Sequence, residues 1–346
     1  SQDTQDKMAQ VIRDQHLNRV VVAACTPRTH EALFQETLVN AGLNKYLIEM
    51  ANIRNQDAWV HANDPDAATE KACVLVRMAV SKAFLAGPLM ETELPVTAAA
   101  MVVGGGVAGL TAALALGRQG FPVHLVEKAA EFGGNARRLI RTFQDEAVGD
   151  FLETLVSEVE AEPRITVHKG TQIAAVTGFV GNFHTTLAHA EGGETSIDHG
   201  VAILATGARE SKPTEYLYGE HPAVVTLLEL DDCFRRSDRR LKQAHDVVFI
   251  QCVGSRDEQR PYCSKVCCTH AIQNALALKQ HSPETNVYIL YRDIRTYGKR
   301  EALYKEARRQ GVLFFRYDLE NKPVVTANDK QVTVNFHDPV LGRPDC

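Results

Sequence analysis

The sequence predicts an α/β protein of two or three domains, and three observations carry that expectation. Apolar β-branched runs alternate with helical patterns along most of the chain, a glycine-rich turn joins one such strand to the helix after it, and a second strand-and-helix series fills the last third. The length of 346 residues suits about two domains at roughly 150 residues each and is ample for a core without disulfide staples. A hydrophobic share of 45% with 23% charged residues is that of an ordinary globular protein. With 38 basic against 43 acidic residues the net charge is -5, so neither a disordered tail nor a nucleic-acid-binding surface is expected. Eight cysteines are too dilute for a secreted disulfide scaffold, yet four of them share one window of 17 residues.

Residues 1–95 read as an N-terminal α/β region. Residues 19–25 (RVVVAAC) and 46–50 (YLIEM) are the strands, residues 30–39 carry apolar positions at helical spacing, and residues 64–86 begin with Asp-Pro, an N-cap and first-turn signal. Residues 87–97, with two prolines and two glutamates, read as a connector. Residues 96–240 form the second part, opening as strand, glycine turn, helix and strand (AAAMVV, GGGVAG, LTAALALGRQG, PVHLVEK). The short runs RITVHKG, TQIAAVTGFV and NFHTTLAH suggest an antiparallel excursion before the apolar strand of residues 200–208. Residues 241–346 form the third part: a strand at 246–255, a helix near 264–280, the strand NVYILYRD, a further helix and the strand GVLFFRYD.

The N-terminus has no basic and apolar leader, so a cytoplasmic protein is expected. The uncharged stretch 95–117 is long enough to span a bilayer. It is rich in Ala and Gly, however, and its glycines bunch at Gly104, Gly105, Gly106 and Gly109, so a buried strand, turn and helix explain it better.

Gly104, Gly106 and Gly109 form G-x-G-x-x-G directly after a strand and directly before a helix, the context that a dinucleotide fingerprint requires. The first glycine makes the tight turn, the second admits the pyrophosphate, and the third lets helix and strand pack; the helix N-terminus, with Val107 and Ala108, faces the negative charge. Glu127, at the end of the next strand and followed by Lys128, lies 23 residues after Gly104, where a carboxylate can accept from ribose hydroxyls and would repel a 2′-phosphate. GGNARRL (residues 133–139, with Gly134, Asn135 and Arg138) and ATGA (Ala205, Thr206, Gly207 and Ala208) resemble elements of two-dinucleotide flavoproteins such as thioredoxin and glutathione reductases. That resemblance makes FAD the expected ligand of a Rossmann-like domain of the thioredoxin/glutathione reductase type, with the third part as an inserted second dinucleotide-type domain. After DVVFIQ neither a second G-x-G-x-x-G nor a ribose-binding acid is evident, and the cysteine segment occupies the equivalent loop.

That segment, CVGSRDEQRPYCSKVCC, places Cys252, Cys263, Cys267 and Cys268 as C-x10-C-x3-C-C. Four thiolates are the ligand number of an iron–sulfur cluster or a structural zinc. A helix beginning after Pro261 would put Cys263 and Cys267 one turn apart, with Cys252 reaching in from the strand end. Zinc sites ordinarily show two C-x2-4-C knuckles and this segment has one near that spacing; disulfides and unligated buried thiols are the other readings. Cys25, Cys73, Cys233 and Cys346 are scattered, and Cys25 ends a strand before TPRTHE.

Taken together, VVAACTPRTHEALFQETLVNAGLNKYLIEMANIRNQDAWVH, VVGGGVAGLTAALAL, GGNARRL, the cysteine segment and YRDIRTYGKREALY resemble the iron–sulfur flavoprotein, or A-type, component of heterodisulfide reductases. The resemblance implies FAD, a [4Fe-4S] cluster on Cys252, Cys263, Cys267 and Cys268, and a role relaying or bifurcating electrons among partner subunits. Ferredoxin-, hydrogenase- or dehydrogenase-type donors, and a homodimer, are compatible with it. Family members carry further cluster cysteines before the segment that SQDTQD resembles, and further flavin-domain and ferredoxin-like segments after LGRP, so the chain is expected to be an internal piece. Two other readings stay open: an FAD/NAD(P)-dependent disulfide oxidoreductase, which lacks its C-x-x-C or C-x4-C pair here, and a non-catalytic assembly module with a structural metal.

Overall fold

The computed structural model describes residues 2–328, 331–338 and 343–345, and divides into two compact units, Ser1–Leu94 and Pro95–Cys346. In the first unit the elements run α1 (Gln2–Asp14), β1 (Val20–Ala24), α2 (Pro27–Asn40), β2 (Ile48–Asn52) and α3 (Pro65–Leu85), with a π-helical turn at Arg54–Ala58. β1 and β2 pair in parallel. Ile12, Leu38 and Ile48 form the core between this sheet and its helices. The Asp-Pro signal holds: the Asp64 side chain accepts from the Ala67 amide at 3.1 Å and Pro65 is the first helical residue of α3. α1 was not expected; it turns Ala9 and Ile12 inward, with Met8 packed beside Leu38 and Ile48.

The second unit begins with β3 (Ala100–Val103), α4 (Val107–Arg118), β4 (Val123–Val126), α5 (Val148–Ala161) and β5 (Ile165–His168). β6 (Thr171–Phe179), β7 (Asn182–His189) and β8 (Glu194–His199) follow, then β9 (Val201–Leu204). A parallel sheet of order β5-β4-β3-β9 results, and β6-β7-β8 form an antiparallel sheet. One expectation is thereby corrected. RITVHKG does not belong to the antiparallel excursion but pairs in parallel with β4 as β5, its Ile165 and Val167 packing on the helix side with Val123, Leu125 and Leu155. The other sheet face buries Met101 and Val126 against Leu187 and Ile197 of β7 and β8. The stretch 95–117 is strand, turn and helix, and no helix among the described residues is long and apolar enough to cross a membrane.

α6 (Leu227–Arg235), α7 (Arg239–Gln243), β10 (Asp246–Ile250), α8 (Cys267–His281), β11 (Asn286–Tyr291), α9 (Glu301–Arg309) and β12 (Leu313–Arg316) complete a second α/β series with parallel order β10-β11-β12. β13 (Val324–Ala327), β14 (Val332–Asp338) and β15 (Arg343–Asp345) make a small antiparallel sheet. The core of the second series joins Phe249, Ile272 and Ile289 to Leu230 of α6, which lies earlier in the chain than position 241. Of the scattered cysteines, Cys346 lies outside the described residues, and Cys25, Cys73 and Cys233 are free thiols.

Histidines line the seam between the parallel and antiparallel sheets. His124 Nδ1 and His168 Nε2 stand 3.2 Å apart, one ring donating and the other accepting. His199 shares a hydrogen bond with Thr185 at 2.8 Å, and His189 one with Thr171 at 3.0 Å. Burial holds His124, His168 and His199 below the ordinary imidazole value; for His199 the Val201 carbonyl and Asp198 oppose the shift. The unfolded chain therefore takes up these protons first. The stabilisation is fully present above about pH 6.5 and is lost as pH falls through the lower folded-state values. Thermal unfolding temperature should drop between pH 7 and pH 5.5, and His124→Gln should flatten that drop; an unchanged slope in the variant would show that the seam histidines do not set it.

Candidate functional site

The glycine turn stands at the C-terminal ends of β3, β4 and β9, where parallel sheets bind ligands. Its glycines are required for different reasons. Gly104 has φ +111°, and a Cβ there would lie 2.3 Å from the Ala205 carbonyl oxygen. A Cβ on Gly109 would lie 1.8 Å from the Gly104 carbonyl oxygen, and one on Gly105 would lie 2.3 Å from the Phe132 ring. Gly106 differs: nothing stands within 4 Å of a Cβ built on it. Gly106 is also the N-cap of α4 and offers no side-chain cap, so the first-turn amides of Val107, Ala108 and Gly109 point with the positive end of the helix toward that open space.

Glu127 follows β4 directly. Its carboxylate accepts from the Gly105 amide at 2.6 Å and from the Ala129 amide at 2.7 Å, which fixes it beside the turn while each oxygen keeps acceptor capacity. Lys128 is exposed. The Gly133 amide donates to the Gly105 carbonyl at 2.7 Å, and Gly134 lies against Gly106. Asn135 Nδ2 donates to the Ala208 carbonyl at 2.9 Å, and the Ala205 amide donates to the Val103 carbonyl at 2.8 Å. Gly104, Gly105, Gly106, Glu127, Gly134, Asn135 and the 205–207 strand end thus form one rim; Thr206 is exposed, and Gly207 has φ +66°. Arg138 turns elsewhere, donating to Asp232 at 3.0 and 3.2 Å with Glu210 at 3.8 Å. The open space at Gly106, an uncapped helix N-terminus and a carboxylate at the next strand end fit the pyrophosphate and ribose of a dinucleotide. Phe132, 3% exposed and closing the turn over Gly105, was not read from the sequence because no motif marks it.

The cysteine segment follows β10. The chain from 252 to 266 is irregular, and Cys252, Arg256 and Lys265 all adopt left-handed φ, of +62°, +59° and +62°. Such residues are strained and cluster at functional loops. Arg256 Nη1 lies 3.7 Å from Cys252 Sγ, and Nη2 donates to Asp293 at 2.6 Å. α8 begins only at Cys267, so Cys263 is not one helical turn from it as the spacing suggested; the left-handed Lys265 breaks the helix before it reaches Cys263. The Cys263 sulfur accepts from the Lys265 amide at 3.3 Å. A hydrogen bond from Cys268 draws Cys267 down to about 6, while that bond and then burial push Cys268 up. Burial also raises Cys252, with Arg256 opposing. Cys252, Cys267 and Cys268 thus act on one another's ionisation. Among the described residues no three His, Cys, Asp or Glu side chains are gathered around one point to hold a single metal ion. Soft thiolates on a strained loop and at a helix N-terminus suit an iron–sulfur cluster in donor chemistry. A cavity of about 180 Å³ opens beside Cys252, lined also by Tyr216, Ser255, Tyr317 and Lys322.

The family of NAD(P)-binding Rossmann-like domains matches residues 102–149, the glycine turn and β4. The A-type component of H(2):CoB-CoM heterodisulfide,ferredoxin reductase from Methanothermobacter thermautotrophicus is 33% identical over 426 aligned positions, covering 96% of this chain and 64% of its own. The A-type iron-sulfur component of CoB–CoM heterodisulfide reductase from Methanocaldococcus jannaschii is 32% identical, covering 98% of this chain and 65% of its own. The chain thus spans less than two thirds of the length of these relatives. The first alignment has more positions than this chain has residues, so that relative also carries internal residues without a counterpart here. Among solved structures, the thioredoxin reductase of Lactococcus lactis is similar at 15% identity and a TM-score of 0.46, covering 71% of this chain and 73% of that one. Matched over nearly all of its own length, the chain is similar throughout to A-type heterodisulfide reductase subunits.

Proposed function

We propose that this chain is the flavin-binding and cluster-bearing part of an A-type heterodisulfide reductase subunit, which is an FAD-dependent oxidoreductase component. The observation that carries the reading is the cradle at Gly106, open where every neighbouring glycine of the turn is closed by packing. The α4 amides and Gly106 hold the pyrophosphate, Glu127 accepts from ribose hydroxyls, and Asn135 with residues 205–207 closes the rim. Cys252, Cys263, Cys267 and Cys268 are the proposed ligands of a [4Fe-4S] cluster. When bound, the two groups supply the redox chemistry; the protein supplies binding, orientation and burial. The division into parts at 1–95, 96–240 and 241–346 belongs to this reading. The electron partners are other subunits of such a complex, with ferredoxin or hydrogenase- and dehydrogenase-type donors in keeping with the ferredoxin and F(420)H(2) named for the relatives.

Adding FAD to the purified chain tests the cradle. A ligand bound only by the folded state stabilises it, by about 2.7 kcal/mol at a hundredfold excess over Kd. A clear rise in unfolding temperature and quenching of flavin fluorescence are expected. Absence of both at millimolar FAD would overturn the flavin assignment.

A further inference from the structure

α6 carries two adjacent carboxylates that serve different neighbours. Asp232 receives both guanidinium bonds of Arg138, at 3.0 and 3.2 Å, and Arg138 ends the loop whose Gly134 lies against Gly106. On the same helix Arg235 donates to the Arg137 carbonyl and to Asp232. Asp231 is 1% exposed and meets His270 Nε2 at 2.6 Å. His270 sits in the first turn of α8, three residues after Cys267, and one turn further Asn274 Nδ2 donates to the Leu227 carbonyl at 3.4 Å. Consecutive residues on a helix point about 100° apart, so a single turn of α6 can face the glycine loop and α8 at once.

Asp231 also has an uncompensated feature. Its Oδ1 is buried without a hydrogen-bond partner. An unsatisfied buried polar atom costs about 1–3 kcal/mol, which an apolar residue at this buried position would avoid. The carboxylate is therefore a poor choice for packing alone and a good one for fixing His270.

The geometry points to α6 as a clasp: Asp232 holds the Gly133–Arg138 loop through Arg138, and Asp231 holds α8 through His270, so that the proposed flavin loop and the cysteine-bearing helix turn are positioned together. Asp231 and Asp232 are positioning residues and touch neither the glycine cradle nor a thiol. The clasp rests on the flavin reading only for its consequence; its mechanical content concerns the FAD-free chain.

Hydrogen exchange of the full chain without FAD tests it. Asp232→Asn, which alters a partner in the loop, should speed exchange about fivefold or more in residues 267–271 as well as in 133–138. Asp231→Asn should do the same in the opposite direction. Asp232→Glu, which keeps the charge for Arg138, should stay near wild type, and Glu153→Gln on the exposed face of α5 should change neither segment. Arg138→Gln opens the same bond from the loop side should Asp232→Asn fold poorly. Effects confined to each variant's own partner would overturn the clasp. Saturating FAD should then slow exchange in 267–271 of wild type but not of Asp232→Asn. Failure of FAD to bind wild type refutes the flavin reading, and the FAD-free comparison still decides the clasp.

Discussion

Gly106→Val leaves the FAD-free chain folded and lowers its affinity for FAD at least about a hundredfold, roughly 2.7 kcal/mol, whereas Gly109→Ala damages the fold itself. The contrast follows from where a Cβ would go. At Gly106 the backbone is extended, with φ -79° and ψ 178°, and no atom stands within 4 Å, so the apoprotein tolerates a side chain. The space filled is the one assigned to the pyrophosphate, against helix amides that a side chain would separate from it. At Gly109 the added carbon lies 1.8 Å from a backbone oxygen of the strand-to-helix turn, which can yield only by moving α4 off β3. Overpacking of this kind costs about 1–3 kcal/mol or more. Unfolding temperature without FAD, measured beside an FAD titration, separates the two effects. A Gly106→Val chain that binds FAD as tightly as wild type would remove the cradle from the proposal.

Replacing a single thiol should be equally decisive. Cys252→Ser, Cys267→Ser and Cys268→Ser should each strip iron and sulfide from anaerobically reconstituted protein, because each removes one of the four proposed thiolate ligands. Cys73→Ser, on an exposed face of α3, should leave both contents unchanged. Cys263→Ser is the informative case. Its sulfur is turned to the Lys265 amide, so as a ligand it must swing on the irregular loop between Cys252 and α8. Full iron and sulfide in that variant would exclude Cys263 from the ligand set.

Much of this site was legible because dinucleotide sites are written in local sequence. Gly104, Gly106 and Gly109 need only the strand before them and the helix after them, and Glu127 only the next strand, so one contiguous stretch specifies these four, while the 205–207 side of the rim is brought in by β9. The Asp-Pro start of α3 was readable for the same reason. What escaped depends on partners distant in the chain. RITVHKG alternates like the antiparallel runs after it, yet β4 recruits it as the edge strand of the parallel sheet, because Ile165 and Val167 face the α4–α5 side of the core. The helical spacing of Cys263 and Cys267 was real in sequence but was overridden by the left-handed turn at Lys265. The contacts of Asp232 with Arg138 and of Asp231 with His270 join residues 94 and 39 positions apart, and no spacing rule announces them.

One chain is proposed to carry both a flavin and an iron–sulfur cluster. Reconstitution with iron, sulfide and FAD under argon, followed by removal of unbound reagents and assay of flavin, iron, acid-labile sulfide and zinc, tests it most directly. Bound flavin together with iron and sulfide in equal amounts is expected. A colourless protein holding stoichiometric zinc, without sulfide or flavin, would contradict it.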